Sequence, residues 1–266
     1  MPLSPFQREV ARLLAGNRNP DSHFAGGAAL NRGDASLRYS EDLDLFHDAA
    51  EQVAIAAAED ERCLREAGYW LSWELRREGF FRALAGRGDD RLRLDWSHDS
   101  AWRFFPIVPD EEFGYCLHPA DLAVNKVLAL AGRTELRDFL DILELDATFL
   151  RLGALIWAAC GKDPGYTPDL ILQVTNIHSR YTEADLASER LARPVDLKLL
   201  KKRWIKARRD AEVLARALPP EELGCLYIGG LGEPITPNPS DPTFPTLVRH
   251  FPSVRGAWPR FRDVIP

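Results

Sequence analysis

Two acidic residues separated by one apolar residue open the stretch Asp42-Leu43-Asp44-Leu45-Phe46. In an extended strand alternate side chains share a face, so both carboxylates project together while Leu43 and Leu45 face the other way. Like charges this close repel unless a cation lies between them. Mg²⁺, a hard ion that prefers oxygen, takes that position where a triphosphate is also bound. The plain alternative is an edge strand with solvated carboxylates, but Leu43, Leu45 and Phe46 make the stretch too apolar for an edge. The spacing therefore points to metal-dependent phosphoryl-group chemistry. Upstream, Gly26-Gly27 falls between strand-like His23-Phe24-Ala25 and a helical turn. Residues without Cβ there would let backbone N–H groups approach a triphosphate, or would simply make an ordinary turn.

Arg38 and Ser40 precede the acidic pair at even spacing. A serine hydroxyl can donate to a phosphate oxygen, and a guanidinium can offer it a fork. For Arg38, a bridge to a carboxylate such as Asp34 is the structural alternative. Residues 119–131 then form a helical pattern begun by Pro119 and apolar nearly all round, interrupted by Asn125 and Lys126. A buried lysine needs an anionic partner, which a triphosphate would supply; otherwise it snorkels to the surface. Asp138 and Asp141 are three apart and share a helix face. A short turn containing Gly132 could bring them back beside Lys126, although Asp141 could instead bridge Arg137.

The ordered set Gly26-Gly27-Ala28-Ala29-Leu30, Arg38-Tyr39-Ser40-Glu41-Asp42-Leu43-Asp44-Leu45-Phe46, Lys126 and Arg137-Asp138-Phe139-Leu140-Asp141 spans residues 24–141. It resembles the polymerase-β-type nucleotidyltransferase superfamily and, within it, the AbiEii/AbiGii toxin family. The resemblance implies transfer of a nucleoside monophosphate from an NTP to an acceptor, with release of pyrophosphate, at a two-metal Mg²⁺ site. Asp42 and Asp44 would hold metal. A third carboxylate on a neighbouring strand would bind the second metal or accept the acceptor's proton. By order along the chain that third acid is Asp95, with Asp99 as the fallback; the plain reading pairs Asp95 with Arg91 or Arg93. Gly26, Gly27, Arg38 and Ser40 would lie along the triphosphate and Lys126 would steady it. Asp138 and Asp141 would line the site, orienting Lys126 or contacting the base or acceptor. The implied setting is a toxin of a bacterial toxin–antitoxin or phage-defence pair, with an antitoxin partner and RNA, tRNA for some relatives, as acceptor. A small-molecule transferase of the antibiotic-modifying kind, or a non-catalytic nucleotide- or partner-binding protein, are the alternatives.

These residues need a scaffold. A helix capped by Ser4 is expected over residues 5–16, a long Ala-rich helix from Asp48 to about Gly68, and strands over residues 42–46, 69–76, 80–86 and 91–97. A further strand is expected around 105–108, and a helical pattern from Pro119 almost to Leu226. The fold class is α+β: a mixed-sheet nucleotidyltransferase domain, residues 1–118, then a helical domain, residues 119–266, with a Pro-rich extended tail from residue 233. The site is expected in the cleft between them.

At 266 residues and 45% hydrophobic the chain can bury a sizeable core, and a net charge of −6 argues against a generally basic nucleic-acid binder. Local basic character remains: Lys198, Lys201, Lys202, Arg203, Lys206, Arg208 and Arg209 crowd one helix, as a groove for RNA phosphates or a solvated face. No leader-like or membrane-spanning stretch stands out, so a cytoplasmic, membrane-independent protein is expected. Four scattered cysteines suggest thiols rather than a zinc site, and the six histidines show no ligand spacing.

Overall fold

A computed structural model describes residues 3–33 and 36–261. Ser4 caps α1 (Pro5–Ala15), its hydroxyl accepting from the Gln7 amide while the Gln7 side chain returns to the Ser4 N–H. The short strand β1 (Ser22–Ala25) runs into α2 (Gly26–Leu30), then β2 (Asp42–His47) and α3 (Ala50–Glu66). The Ala-rich helix starts at Ala50 rather than Asp48, and Ala49, with no side-chain cap, precedes it. An antiparallel meander follows: β3 (Trp70–Arg77), β4 (Phe80–Arg87) and β5 (Asp90–His98).

The expected strand at 105–108 is replaced by two shorter ones, β6 (Trp102–Arg103) and β7 (Val108–Asp110). Pro106 lacks a ladder donor, and the buried Phe104 and Phe105 rings pack beside His250. After β8 (Gly114–Cys116) come α4 (Pro119–Gly132), α5 (Leu136–Thr148), α6 (Leu152–Lys162), α7 (Pro168–Val174), α8 (Glu183–Ala187) and α9 (Leu197–Ala217). The helical run breaks between α8 and α9, where Leu191 bridges Arg38, the Tyr39 N–H donates to the Arg190 carbonyl and the Ala192 N–H to that of Leu37. The Pro-rich end is more than an extended tail: β9 (Leu226–Ile228) pairs with β10 (Val248–His250), and β11 (Ser253–Val254) with β6.

The chain groups into two compact units. One holds the described residues up to Ala101 with Pro106–Leu122 and Arg190–Ala192; the other holds Trp102–Phe105, Ala123–Glu189 and the residues from Arg193 onward. In the first, a seven-stranded sheet runs β3-β4-β5-β2-β1-β8-β7. It is mixed: β2 lies parallel to β5 and antiparallel to β1. Leu43, Leu45, Leu92, Leu94 and Trp96 share one buried core with Val10, Leu14, Val53, Ala57 and Leu64 from α1 and α3. Below this core Asp60 of α3 is fully buried, accepting from Arg18 at 2.6 Å, Asn17 at 2.8 Å and the Trp96 indole at 2.7 Å. That network fixes which face of β5 is inward, and Asp95 therefore points to the other side.

The second unit is mainly helical. Leu200, Trp204, Ala207 and Ala211 form the buried side of α9, which packs against α5, α6 and α7. Tyr227 of β9 and Cys225 just before it join a small core with Trp157, Leu218 and Phe244. The four cysteines are free thiols, three of them buried. Among the described residues no helix is long and apolar enough to cross a membrane.

Candidate active site

Parallel pairing of β2 with β5 places Asp44 directly opposite Asp95 and Asp42 opposite Arg93. Because Leu43 and Leu45 are fully buried in the core, Asp42 and Asp44 stand on the opposite face, beside Asp95. One ligand oxygen from each of Asp42, Asp44 and Asp95 lies within 4.8 Å of the others. Asp99 is outside this group; its amide donates to the His47 carbonyl. The donor set is all carboxylate, without cysteine or histidine, and so suits a hard cation such as Mg²⁺ better than zinc.

The sequence reading missed the cation beside Asp95. Arg82 of β4, directly opposite in register, donates from Nε to Oδ1 at 2.7 Å and from Nη2 to Oδ2 at 2.5 Å. The hydrogen bond to Asp95 is the main cause of a guanidinium pKa above its ordinary value. Neither Arg91 nor Arg93 takes this place. The signal was available: Gly88-Asp89 as a two-residue turn pairs Arg87 with Asp90, and counting back pairs Arg82 with Asp95.

The glycine pair meets the acids directly. Gly26 has φ +65, and a Cβ there would stand 1.8 Å from Asp44 Oδ2. The Gly27 amide donates to the same oxygen at 3.3 Å, and a Cβ on Gly27 would lie 3.0 Å from Arg38 Nη2 and 3.3 Å from Ser40 Oγ. These glycines let the chain turn over a carboxylate, a tighter requirement than the ordinary turn considered above. Arg38 and Ser40 are buried. Ser40 Oγ lies 3.3 Å from the Asp42 carbonyl and 3.5 Å from its Oδ1, and the Ser40 carbonyl accepts from Gln7 Nε2 at 2.8 Å. Gln7, also unforeseen, thus closes the α1 cap and anchors the approach to β2. The suggested Arg38–Asp34 bridge lies outside the described residues.

In the helical unit, Lys126 of α4 is 7% exposed and its Nζ lies 2.9 Å from both Asp138 Oδ1 and Asp141 Oδ2 of α5. The lysine does not snorkel; its anionic partners come from the next helix. Arg133, in the turn between the helices, forks Asp138 from Nε at 2.7 Å and Nη2 at 3.2 Å. Burial alone would raise the Asp138 pKa, but Arg133 and Lys126 outweigh it and hold it at about 2. Asp138 and Asp141 share a face, as their spacing requires, and both are buried.

The basic helix is partly neutralised. Lys206 pairs with Asp210 at 2.5 Å, Arg203 donates to the Leu143 carbonyl, and Arg208 donates to the Leu172 carbonyl and Asn176. Histidines go to structure: His178 bonds the Leu130 carbonyl, His250 that of Phe104, and His47 sits between Ser22 and Ser97.

The class of the protein follows from its family: it is a nucleotidyltransferase. The family model described as nucleotidyl transferase AbiEii toxin, type IV toxin–antitoxin system, matches residues 11–217, and the chain belongs to that family. Its fold is similar to JHP933 from Helicobacter pylori, with TM-score 0.52 and 16% identity over 80% of this chain and 95% of that one. It is also similar to MenT4, a nucleotidyltransferase toxin from Mycobacterium tuberculosis H37Rv, with TM-score 0.56 and 16% identity over 81% of this chain and 83% of that one. No curated protein matches the sequence.

Proposed function

We propose that this toxin-family enzyme transfers a nucleoside monophosphate from an NTP to a hydroxyl of RNA, and that a cognate antitoxin restrains it. The convergence of Asp42, Asp44 and Asp95 within 4.8 Å carries the reading. The acceptor oxygen bonds to the α-phosphorus, the bond from that phosphorus to the β-phosphate oxygen breaks, and pyrophosphate leaves with the electron pair. Asp42 and Asp44, with Asp95, would hold Mg²⁺, whose chemistry there is to neutralise charge building on the phosphoryl oxygens.

The chain's own residues supply positioning. Gly26 and Gly27 set the Asp44 carboxylate, Ser40 reaches Asp42, and Arg82 fixes the plane of Asp95. Since both Asp95 oxygens already accept from Arg82, we assign Asp95 as a metal-holding carboxylate rather than the general base. The acceptor's proton then leaves to solvent. Arg38 and Ser40 are the donors we assign to the triphosphate, and Lys126 with Asp138 and Asp141 to the nucleotide-binding side of the reaction.

Incubating the purified protein with labelled NTPs, Mg²⁺ and total RNA tests this reading. Label should enter RNA, and Asp42→Asn or Asp44→Asn should cut incorporation by at least about 100-fold without lowering the melting temperature. Label found on a small solute alone would replace RNA with a small-molecule acceptor. Full activity in both variants would remove the metal-site assignment.

A further inference from the structure

On the side of the sheet that carries the acids, β2, β5, β4 and β3 set their residues in cross-strand rows. Asp44, Asp95 and Arg82 stand in one row, with Asp42 and Arg93 in the next. Arg91, Gly86 and Trp70 make the third. Four residues of β5 separate the first row from the third, a distance of about 13 Å. Leu92 and Leu94 go into the core, so Arg91 and Arg93 point outward, and both are exposed.

The third row is built around an aromatic plane. A Cβ on Gly86 would stand 2.3 Å from Trp70 Cζ2, so the indole lies on bare backbone, yet Trp70 remains 37% exposed. The Arg91 guanidinium is 5.9 Å from the centroid of that ring. A guanidinium held beside an aromatic face keeps its N–H donors at its rim. In the second row Arg93 meets Glu74, the extra residue where β3 shifts register, at 3.9 Å with the two side chains 44% and 43% exposed. An ion pair that long and that wet holds an arginine weakly. The other carboxylates on this side of the four strands are Asp42, Asp44 and Asp95, and Asp95 is already answered by Arg82; Asp90 falls on the opposite side. The face thus changes sign along β5, from acids that would hold metal to two outward arginines beside an aromatic plane.

An acceptor strand whose hydroxyl reaches the acids must continue over one flank of them. On the β1 side of β2 the Gly26–Gly27 turn, Arg38 and Ser40 already stand against Asp44 and Asp42. On the β5 side Ser72, Arg91 and Arg93 are exposed. Bases stack on aromatic faces whatever their sequence, and guanidiniums meet phosphates. We propose that the outward face of β5, β4 and β3 is the docking track for a single-stranded end of the RNA acceptor. Arg93 and Arg91 are its phosphate contacts, and Trp70 is the stacking plane for a base two rows from Asp95. The track deepens, and rests on, the RNA-acceptor reading above.

The test uses the full chain and a fluorescent single-stranded RNA of about a dozen mixed nucleotides, read by anisotropy, with steady-state transfer and melting temperature measured alongside. Arg91→Gln with Arg93→Gln should lower the slope of log affinity against log salt by about 1.4, at roughly 0.7 per lost phosphate contact. Trp70→Ala should weaken binding about tenfold and raise the KM for RNA with kcat kept. Trp70→Phe, which keeps a plane over Gly86, should restore both. If RNA is labelled but these variants bind it and turn it over unchanged, the track falls alone. RNA that binds through these residues yet is never labelled supports the track and removes the acceptor reading; RNA that neither binds nor is labelled overturns both. Poly-glutamate that binds as tightly as the RNA, and loses as much in Trp70→Ala, would mark the face as a surface for acidic proteins and overturn the proposal.

Discussion

Arg82 gives both ends of its fork to Asp95, while its own side chain stays 35% exposed. Replacing it with alanine strands a buried carboxylate, a change that costs about 3–5 kcal/mol in a dry interior and less here, where solvent reaches the guanidinium; about 1–3 kcal/mol is expected. Released from its clamp, Asp95 should also shift the Mg²⁺ concentration for half-maximal transfer by several-fold, with Arg82→Lys recovering stability in part but not the two-pronged geometry. Chemical denaturation and an Mg²⁺ titration of activity check the two halves separately; an unchanged Mg²⁺ profile in Arg82→Ala would reduce this arginine to a structural role. Asp42 and Asp44 were legible from alternation, since burial of Leu43 and Leu45 puts both carboxylates on the opposite face of the strand. Arg82 and Gln7 were not singled out because their importance lies in register and in a cap, which are properties of pairs of segments and not of either residue.

At the scale of elements, the turn from β1 into α2 and the α4–α5 hairpin each hold a charged group in place. Gly26→Ala would force an L side chain into φ +65 and onto Asp44 at 1.8 Å, so loss of transfer together with about 2 kcal/mol or more of stability is expected. Gly27→Ala, where the nearest atom is a flexible guanidinium end at 3.0 Å, should be the milder variant by both melting temperature and activity. In the hairpin, Lys126→Ala leaves Asp138 and Asp141 buried without the ammonium, at a cost of about 3–5 kcal/mol. Activity lost in that variant therefore has to be read beside its melting temperature, with Lys126→Arg as the charge-preserving control. The apolar surround of Lys126 announced a buried cation correctly. The spacing of Asp138 and Asp141 beyond the Gly132 turn offered its anions, and both lie 2.9 Å from the ammonium; the second cation on Asp138, Arg133, lies in the turn itself and leaves no periodic signal. The strand expected near residue 105 failed for a local reason: Pro106 interrupts the ladder, and the apolar signal of Phe104-Phe105 belonged to packing.

Across the whole molecule, acid sensitivity follows from burial. His47 is fully buried between Ser22 and Ser97; burial first, and then the nearby Arg18, lower its pKa from 6.5 to about 4. Between those values the unfolded chain binds a proton that the native state refuses, so stability falls as pH drops from about 6.5 to about 4. At about 1.4 kcal/mol per unit the loss is on the order of 3 kcal/mol. Asp138 has the opposite origin and a lower window: its depressed pKa contributes stability above the ordinary carboxylate range that is lost only as pH falls toward about 2. Urea melts across pH 4–7 on the unaltered chain and on His47→Gln should show a flatter curve for the variant; parallel curves would assign the acid sensitivity elsewhere. The α+β class and the helical nature of the second half were readable from periodicity. The grouping of residues 190–192 with the sheet unit was not, because three residues with a single strand-like bridge leave no periodic trace.

That small return of the chain has a consequence in time. The segment Arg190–Ala192 hydrogen-bonds to Leu37 and Tyr39, immediately before Ser40 and the acidic pair. A ribosome that has released the whole sheet has therefore not yet delivered the segment bonded to the residues just before β2. The nascent enzyme stays unfinished through the synthesis of five more helices, an interval in which a newly made toxin is already long but not yet assembled.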